Sequence, residues 1–429
     1  MKQLKVAVVG AGIVGISTAE WLRRDGHHVT LIDRNDPGTP AQTSYGNAGL
    51  LAAASIIPVP VPGLLSKAPG MLFSADGPLH LRWSYLPRLL PWLIPFLRRA
   101  TDAELNRTAT SLAEICGDSP DQHMALAKGT GAEAYIRHGP WVALYPSESA
   151  CRKDDKTHAI RRAHGFRMEE FGFDRLRAED PHLGEHYVHA ASQLDHGWIT
   201  NPGAYVAQLF TYFRSQGGAF LKAEVDDMRP EGEGASASIT AAGETTTYDR
   251  LVLAGGAWSG KLAKQLGHDP ALESERGYHL LLKNPSHMPP HPYMLTDIKS
   301  AVTPMERGLR FAGQVEFGGL DAGPSRAPFK VVKSRIHKLY PDLTWEDEEE
   351  WMGHRPSTVD SLPLVGPSPK APSIHFAFGA QHIGLTSGPK TGRLIADMIG
   401  GRTPNIDMAP FRVGRFDRWR GPDSGTDTT

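Results

Sequence analysis

Residues 5–33 read KVAVVGAGIVGISTAEWLRRDGHHVTLID, and the fold is decided there. The unbroken apolar run Val6, Ala7, Val8, Val9 has the pattern of a strand buried on both faces of a parallel sheet. Gly10-Ala11-Gly12-Ile13-Val14-Gly15 follows, then apolar residues at helical spacing (Ile16, Ala19, Trp21, Leu22), then a second strand over 28–32 closed by Asp33. Gly10 permits the tight turn, Gly12 lets backbone approach a pyrophosphate, and Gly15 lets the helix pack on the strand. The diphosphate would face the free N–H groups and the positive dipole end of the helix, at Ile13 and Val14. Asp33 stands where a carboxylate reaches a ribose hydroxyl, with Arg34 beside it. A GxGxxG alone is a weak signal, but here its strand, helix, second strand and acid are all in place. The stretch predicts a Rossmann opening for an adenine dinucleotide.

Working outward, 429 residues exceed the usual single domain, so two domains sharing one ligand are expected. Hydrophobic content of 40% and charged content of 22% give ample core. A net charge of −1 and a pI of about 7.0 supply no field for nucleic acid or anionic lipid. Cys116 and Cys151 have no metal-ligand spacing, so neither a disulfide framework nor a metal centre is expected. The first apolar run is the Rossmann strand itself, no signal peptide is read, and the expected location is cytoplasmic.

Beyond Asp33 the chain turns polar and rich in small residues, and Ser44, Asn47, Ala48 and Gly49 have the character of a phosphate-facing loop. The segment 79–99 (LHLRWSYLPRLLPWLIPFLRR) is the most apolar, but its uncharged run is far shorter than the ~20 residues of a membrane span. Pro87, Pro91 and Pro95 predict several short helices there, each begun by a proline. Two uses stand open for it: core of the second domain, or a peripheral membrane or quinone-facing patch with Arg88, Arg98 and Arg99 at the headgroups. Residues 101–128 are expected to be helical and 141–145 a strand, and Asn201-Pro202 begins a helix. Residues 220–226, 236–240 and 245–248 form a small strand group. It leads to a second buried strand, RLVLA over 250–254, that ends in Gly255-Gly256-Ala257-Trp258. Strands are also expected at 278–282, 310–317 and 374–378, with a helix beginning after Thr386.

The predicted fold class is α/β: a discontinuous Rossmann-like nucleotide domain (1–56, 150–265 and 350–416) with an inserted α+β substrate domain (57–149 and 266–349). The inserted part would carry a large mixed or antiparallel sheet, and 417–429 would be a polar tail. A ligand cleft belongs at the seam.

Four segments in order, VVGAGIVGISTAEWL, TSYGNAG, LAGGAWSG and GHRPSTVDSLPLVGPSP, resemble the FAD-dependent D-amino-acid oxidase superfamily, most closely bacterial D-amino-acid dehydrogenases. The last is the most specific. The resemblance implies that Gly10, Gly12, Gly15 and Asp33 hold the ADP half of FAD, and that Ser44, Asn47, Ala48 and Gly49 line its pyrophosphate and ribityl side. It implies further cofactor contacts at Val225, Ala254, Gly255 and Trp258, and at His382, Ile383, Gly384, Leu385 and Thr386. Arg355 matches the arginine that grips the substrate carboxylate, and TSYGNAG holds no His or Cys for a covalent tether, so dissociable FAD is expected. Two departures, His354 and the Gly379-Ala380-Gln381-His382 loop, leave open whether either histidine is structural or tunes the flavin.

Chemistry follows from this expectation. A guanidinium can hold a carboxylate as a fork, which lysine cannot, and so fix one end of an amino acid. Tyr278 and Arg310 are candidates for the substrate-side wall and Tyr205 a weaker one, with core packing as the alternative. For Arg355 the alternative is an ion pair with Asp360 or with Glu348–Glu350. The implied activity is oxidative deamination of a D-amino acid, D-proline and hydroxyproline types included, with electrons passed to a quinone or other carrier. A glycine, sarcosine or cyclic imino-acid oxidase using oxygen is the second reading, and a non-catalytic flavoprotein subunit the third. A homo-oligomer is compatible with all three.

Overall fold

The computed structural model describes residues 2–64, 77 and 79–417. The predicted opening forms the centre of a six-stranded sheet in the order Ala219–Lys222, His28–Asp33, Lys5–Val9, Arg250–Leu253, Ala371–Phe378, Leu364–Ser368. The first five strands are parallel and the last is antiparallel. Val6, Ala7 and Val8 are wholly buried, as a run without polar alternation requires. Helix Ile13–Arg24 follows the glycine turn and lies along helix Gly384–Ile399. Gly392 permits that approach, because a Cβ there would stand 2.6 Å from the Thr18 nitrogen.

The second sheet runs in the order Asp347–Thr358, Leu272–Lys283, Gly308–Phe317, Ser300–Met305, Tyr293–Leu295, Trp141–Tyr145, His189–Gln193, Met168–Gly172. The short strand Leu79–Leu81 pairs alongside Val315–Phe317. Side chains alternate between its faces. Leu280, Leu282 and Phe311 point to one side, into the core under helix Ala327–Leu339. Glu275, His279, Arg310 and Arg355 point to the other, toward the nucleotide-binding half: His279 and Arg310 bond backbone of the 45–47 loop.

Four expectations are corrected. The large sheet takes strands from 168–172 and 189–193, inside the span 150–265 assigned to the nucleotide domain. Helices Asp102–Cys116 and Ser119–Ala127, inside the span 57–149 assigned to the insertion, bury Leu112, Ile115 and Leu126 in the core beneath the Rossmann sheet. Residues 219–222 form the edge of the Rossmann sheet rather than joining the three-stranded group Val225–Glu231, Ser236–Ala241, Glu244–Tyr248. Finally, the proline-rich segment makes one helix, Leu86–Arg98. Pro91 and Pro95 are four residues apart, so the carbonyls they leave unbonded, on Pro87 and Pro91, lie on one exposed side while Leu89, Trp92 and Phe96 bury the other. Among the described residues no helix is long and apolar enough to cross a membrane. The tail is outside the described residues except for Asp417, whose carboxylate is 2.8 Å from His268 Nδ1.

Candidate active site

A cleft of about 1710 Å³ opens between the two sheets. That exceeds the ~300–1000 Å³ of an ordinary small-ligand pocket and suits a dinucleotide with room for substrate access. Gly10, Gly12, Ile13, Val14, Asp33 and Arg34 line it from the opening motif. Ser44 and Asn47 line it from the following loop, Val225, Ala254, Gly255 and Trp258 from the middle of the chain, and Gly384 and Leu385 from the end.

The glycine turn is shaped as its spacing predicts. Gly10 has φ +103°, and a Cβ there would lie 2.4 Å from the Ala254 carbonyl oxygen; at Gly15 it would lie 1.8 Å from the Gly10 oxygen. Gly15 therefore packs helix on strand and lines no cleft. Ser44 Oγ accepts from the Ile13 N–H at 3.0 Å, closing the helix N-terminus from the neighbouring loop. Asp33 accepts from Ala11 N at 2.7 Å and from Gln42 Nε2 at 3.2 Å, so Gln42, unnoticed in the sequence, steadies the acid. Arg34 stacks on Trp258 at 4.7 Å. The cradle of unbranched backbone, helix N-terminus and acid at the strand end fits the ADP half of FAD.

Ala48, Gly49, Ile383 and Thr386 sit behind this surface. The Ala48 carbonyl accepts from Thr303 Oγ1, Gly49 holds a φ of +80°, Ile383 caps the last helix and Thr386 Oγ1 bonds the Leu50 carbonyl. That helix begins at Gly384, earlier than its spacing predicts, and so brings its first-turn N–H groups to the cleft.

Arg355 lies on the sheet face that looks toward the nucleotide half. Gly277 makes room for it: a Cβ on Gly277 would stand 2.7 Å from Arg355 Cζ. Arg355 as a residue is partly exposed, while burial lowers the pKa of its guanidinium, with Glu275 opposing. His382 has an exposed side chain by surface, yet burial brings its pKa down to about 4 and the Arg355 charge adds to that. Neither residue is among those lining the cleft, although their chain neighbours Pro356 and Gln381 are. Among the described residues Arg355 forms no ion pair, and its one hydrogen bond is a long 3.5 Å contact to the Gln314 carbonyl. The alternatives for Arg355 are otherwise engaged: Asp360 is bound by Arg415, Glu348 and Glu350 by Lys333, and Glu349 by Arg307. Glu275, opposite Arg355 in the ladder, is buried with its pKa raised by desolvation.

Four candidates have other engagements. Tyr278 falls on the far face, one residue out of phase with Glu275 and Gly277, and its hydroxyl donates to Glu316 at 2.5 Å beside Arg276. Arg310 is on the right face but spends its Nη1 on the carbonyls of Tyr45 and Asn47, at 3.0 and 2.7 Å, and so clamps the loop. His354 also falls on the far face, with Nδ1 2.8 Å from Ser274 Oγ and its ring edge-on to Trp258. Burial, then the Arg276 charge, holds it down to about 4. Tyr205 is wholly buried with its hydroxyl 2.9 Å from His123 Nδ1. Strand parity could have excluded Tyr278 and His354 had the register been known; Gly277 and Glu275 carry no motif.

Residues 5–398 match the family described as FAD dependent oxidoreductase. The chain is 36% identical to the D-amino-acid oxidase of Bradyrhizobium diazoefficiens over 96% of this chain and 98% of that one. It is 29% identical to the D-amino acid dehydrogenase 2 of Ralstonia nicotianae over 96% and 100%. The fold is similar to that of glycine oxidase from Geobacillus kaustophilus (TM-score 0.72, 21% identity, covering 97% and 99%). L-proline dehydrogenase from P. horikoshii is similar at TM-score 0.71 and 15% identity, covering 97% and 98%. The chain belongs to the FAD-dependent oxidoreductase family, with FAD as its cofactor.

Proposed function

We propose that this enzyme oxidises a D-amino acid to the imino acid, which water converts to a 2-oxo acid, and passes the electrons to a quinone or other carrier. The observation that carries the proposal is Arg355: a desolvated guanidinium next in the chain to Pro356, which lines the cleft, and without an ion-pair partner among the described residues. Such a group attracts a carboxylate strongly, because little water competes for it. The similarity to a protein named D-amino-acid oxidase supplies the substrate class.

The roles of the residues follow. Arg355 holds the substrate carboxylate as a fork, and the floor left by Gly277 lets the guanidinium lie flat on the sheet. His382 is uncharged at neutral pH, so Arg355 is the one cation of the pair and the carboxylate has a single docking point. When bound, FAD supplies the two-electron acceptor for the hydride leaving the α-carbon. Gly384 and Leu385 turn the positive end of the last helix toward the cleft, where it stabilises developing negative charge. The proposed carrier rests on the rim: Trp83, Leu90 and Ile94 are exposed beside Arg88 and Pro91, which line the cleft.

Anaerobic mixing of the purified flavoprotein with D-amino acids, their L-forms, D-proline, hydroxyprolines, glycine and sarcosine tests this directly. D-forms are expected to bleach the flavin; bleaching by L-forms or sarcosine alone, or by nothing, overturns the substrate assignment. Hydrogen peroxide formed in step with substrate in air would overturn the carrier alone.

A further inference from the structure

The far edge of the large sheet carries a second cluster of reactive side chains, and none of its residues lines the cleft. Strands Met168–Gly172 and His189–Gln193 pair so that Gly172 faces His189 and Glu170 faces Ala191, which puts Glu170 and His189 on one side of the sheet. Helix Glu148–Arg152 lays Cys151 on that same side. One ligand atom from each of Cys151, Glu170 and His189 lies within 4.8 Å of the other two.

The bonding there is incomplete. Cys151 is 1% exposed, and its thiol makes only a 4.0 Å contact to Glu170 Oε2. His189 Nε2 and His158 Nδ1 are buried with no hydrogen-bond partner among the described residues. His158, also 1% exposed, points Nδ1 at Glu170 Oε1 from 3.7 Å. Its other nitrogen is 3.3 Å from the Tyr145 hydroxyl, which gives its proton to Asp154 at 3.0 Å. His158 Nε2 must therefore be the donor in that contact. Nδ1 faces the Glu170 carboxylate with no hydrogen bond between them.

We propose that Cys151, Glu170 and His189, with His158 as a fourth donor, bind one divalent metal ion of the zinc type. Mixed sulfur, nitrogen and oxygen donors from three or four side chains suit zinc rather than calcium or magnesium. Arg162 holds Glu170 Oε1 at 2.6 Å, so Oε2 is the oxygen offered to the metal. Binding would release the Cys151 thiol proton to solvent, because the thiolate is the ligand form. The ion would pin the short helix to the outermost strand.

The test titrates the FAD-loaded full chain with cobalt(II) as a spectroscopic stand-in, then with zinc, and compares Cys151→Ser and His189→Ala. One ion per chain with a cobalt–thiolate band in the flavin-corrected difference spectrum is expected, displaced by zinc. Each substitution should weaken binding by more than the ~10–100-fold typical of outer-shell changes. Flavin absorbance reports whether each variant is folded. Should Cys151→Ser not fold, zinc must protect Cys151 of the wild-type chain from a thiol reagent. Absence of binding, a thiolate band that survives Cys151→Ser, or no zinc protection overturns the proposal.

Discussion

Replacing Arg355 by Leu removes the fork while keeping an apolar side chain at that position. A guanidinium–carboxylate fork is two hydrogen bonds between charged groups, each contributing ~1.5–3 kcal/mol. At ~1.4 kcal/mol per factor of ten, kcat/KM for a D-amino acid should fall ~10²–10⁴-fold. The free enzyme has no ion pair to break at Arg355 among the described residues, so substrate binding realises most of that gain. Glu275 across the ladder already shares the cation, which argues for the lower half of the range. The same charge stabilises folding, because without it the buried Glu275 carboxylate is left uncompensated. Stopped-flow reduction is therefore measured on Arg355→Leu, Glu275→Gln and the double variant, each checked for bound flavin. If Arg355→Leu/Glu275→Gln reduces at a rate within tenfold of Glu275→Gln at subsaturating substrate, Arg355 does not hold the carboxylate.

Gly277→Ala keeps every charge but sets a Cβ 2.7 Å from Arg355 Cζ, so a displaced guanidinium should lower kcat/KM by up to ~100-fold in the same assay. Gly15→Ala would place a methyl 1.8 Å from the Gly10 oxygen, and the purified protein is expected to lack flavin absorbance. Tyr278→Phe should leave kcat/KM unchanged and cost about 1–3 kcal/mol in denaturant unfolding, since its hydroxyl bonds Glu316 on the opposite face of the sheet from Arg355. Acid should unfold the protein over a defined window. Burial holds His123 and His375 down to about 4 and His196 to about 3, whereas the unfolded chain binds those protons below pH ~6.5. Stability contributed by these rings is full above that pH and falls as pH drops toward 4, by up to ~4 kcal/mol per pH unit for the three together. Denaturant midpoints from pH 7 to 4 check this, and a flat profile would refute it.

The elements that sequence reading placed well are those where local rules and tertiary demand coincide. Residues 5–33 form a closed local unit, so the positions of Gly10, Gly15 and Asp33 followed from backbone sterics alone. The N-cap at Asn201 is likewise local: its side chain accepts from Ala204 N as its place before Pro202 implies. What failed depended on relations across the chain. Tyr278 and Arg276 sit one residue out of phase with Glu275 and Gly277, and only the ladder with 353–357 shows which pair shares a face with Arg355. A single step of register moves a tyrosine from the substrate wall to a buried bond with Glu316. Arg310 illustrates the opposite case, correct in face but engaged by two loop carbonyls that no sequence pattern reveals. Arg355 stood out because its neighbours in GHRP form a motif, but the physical reason that it remains available lies far away. Arg415, Lys333 and Arg307 neutralise the acids that would otherwise have claimed it. Availability of a charged group is thus a property of the whole charge network, and substituting Arg415 should free Asp360 to compete for any cation within reach.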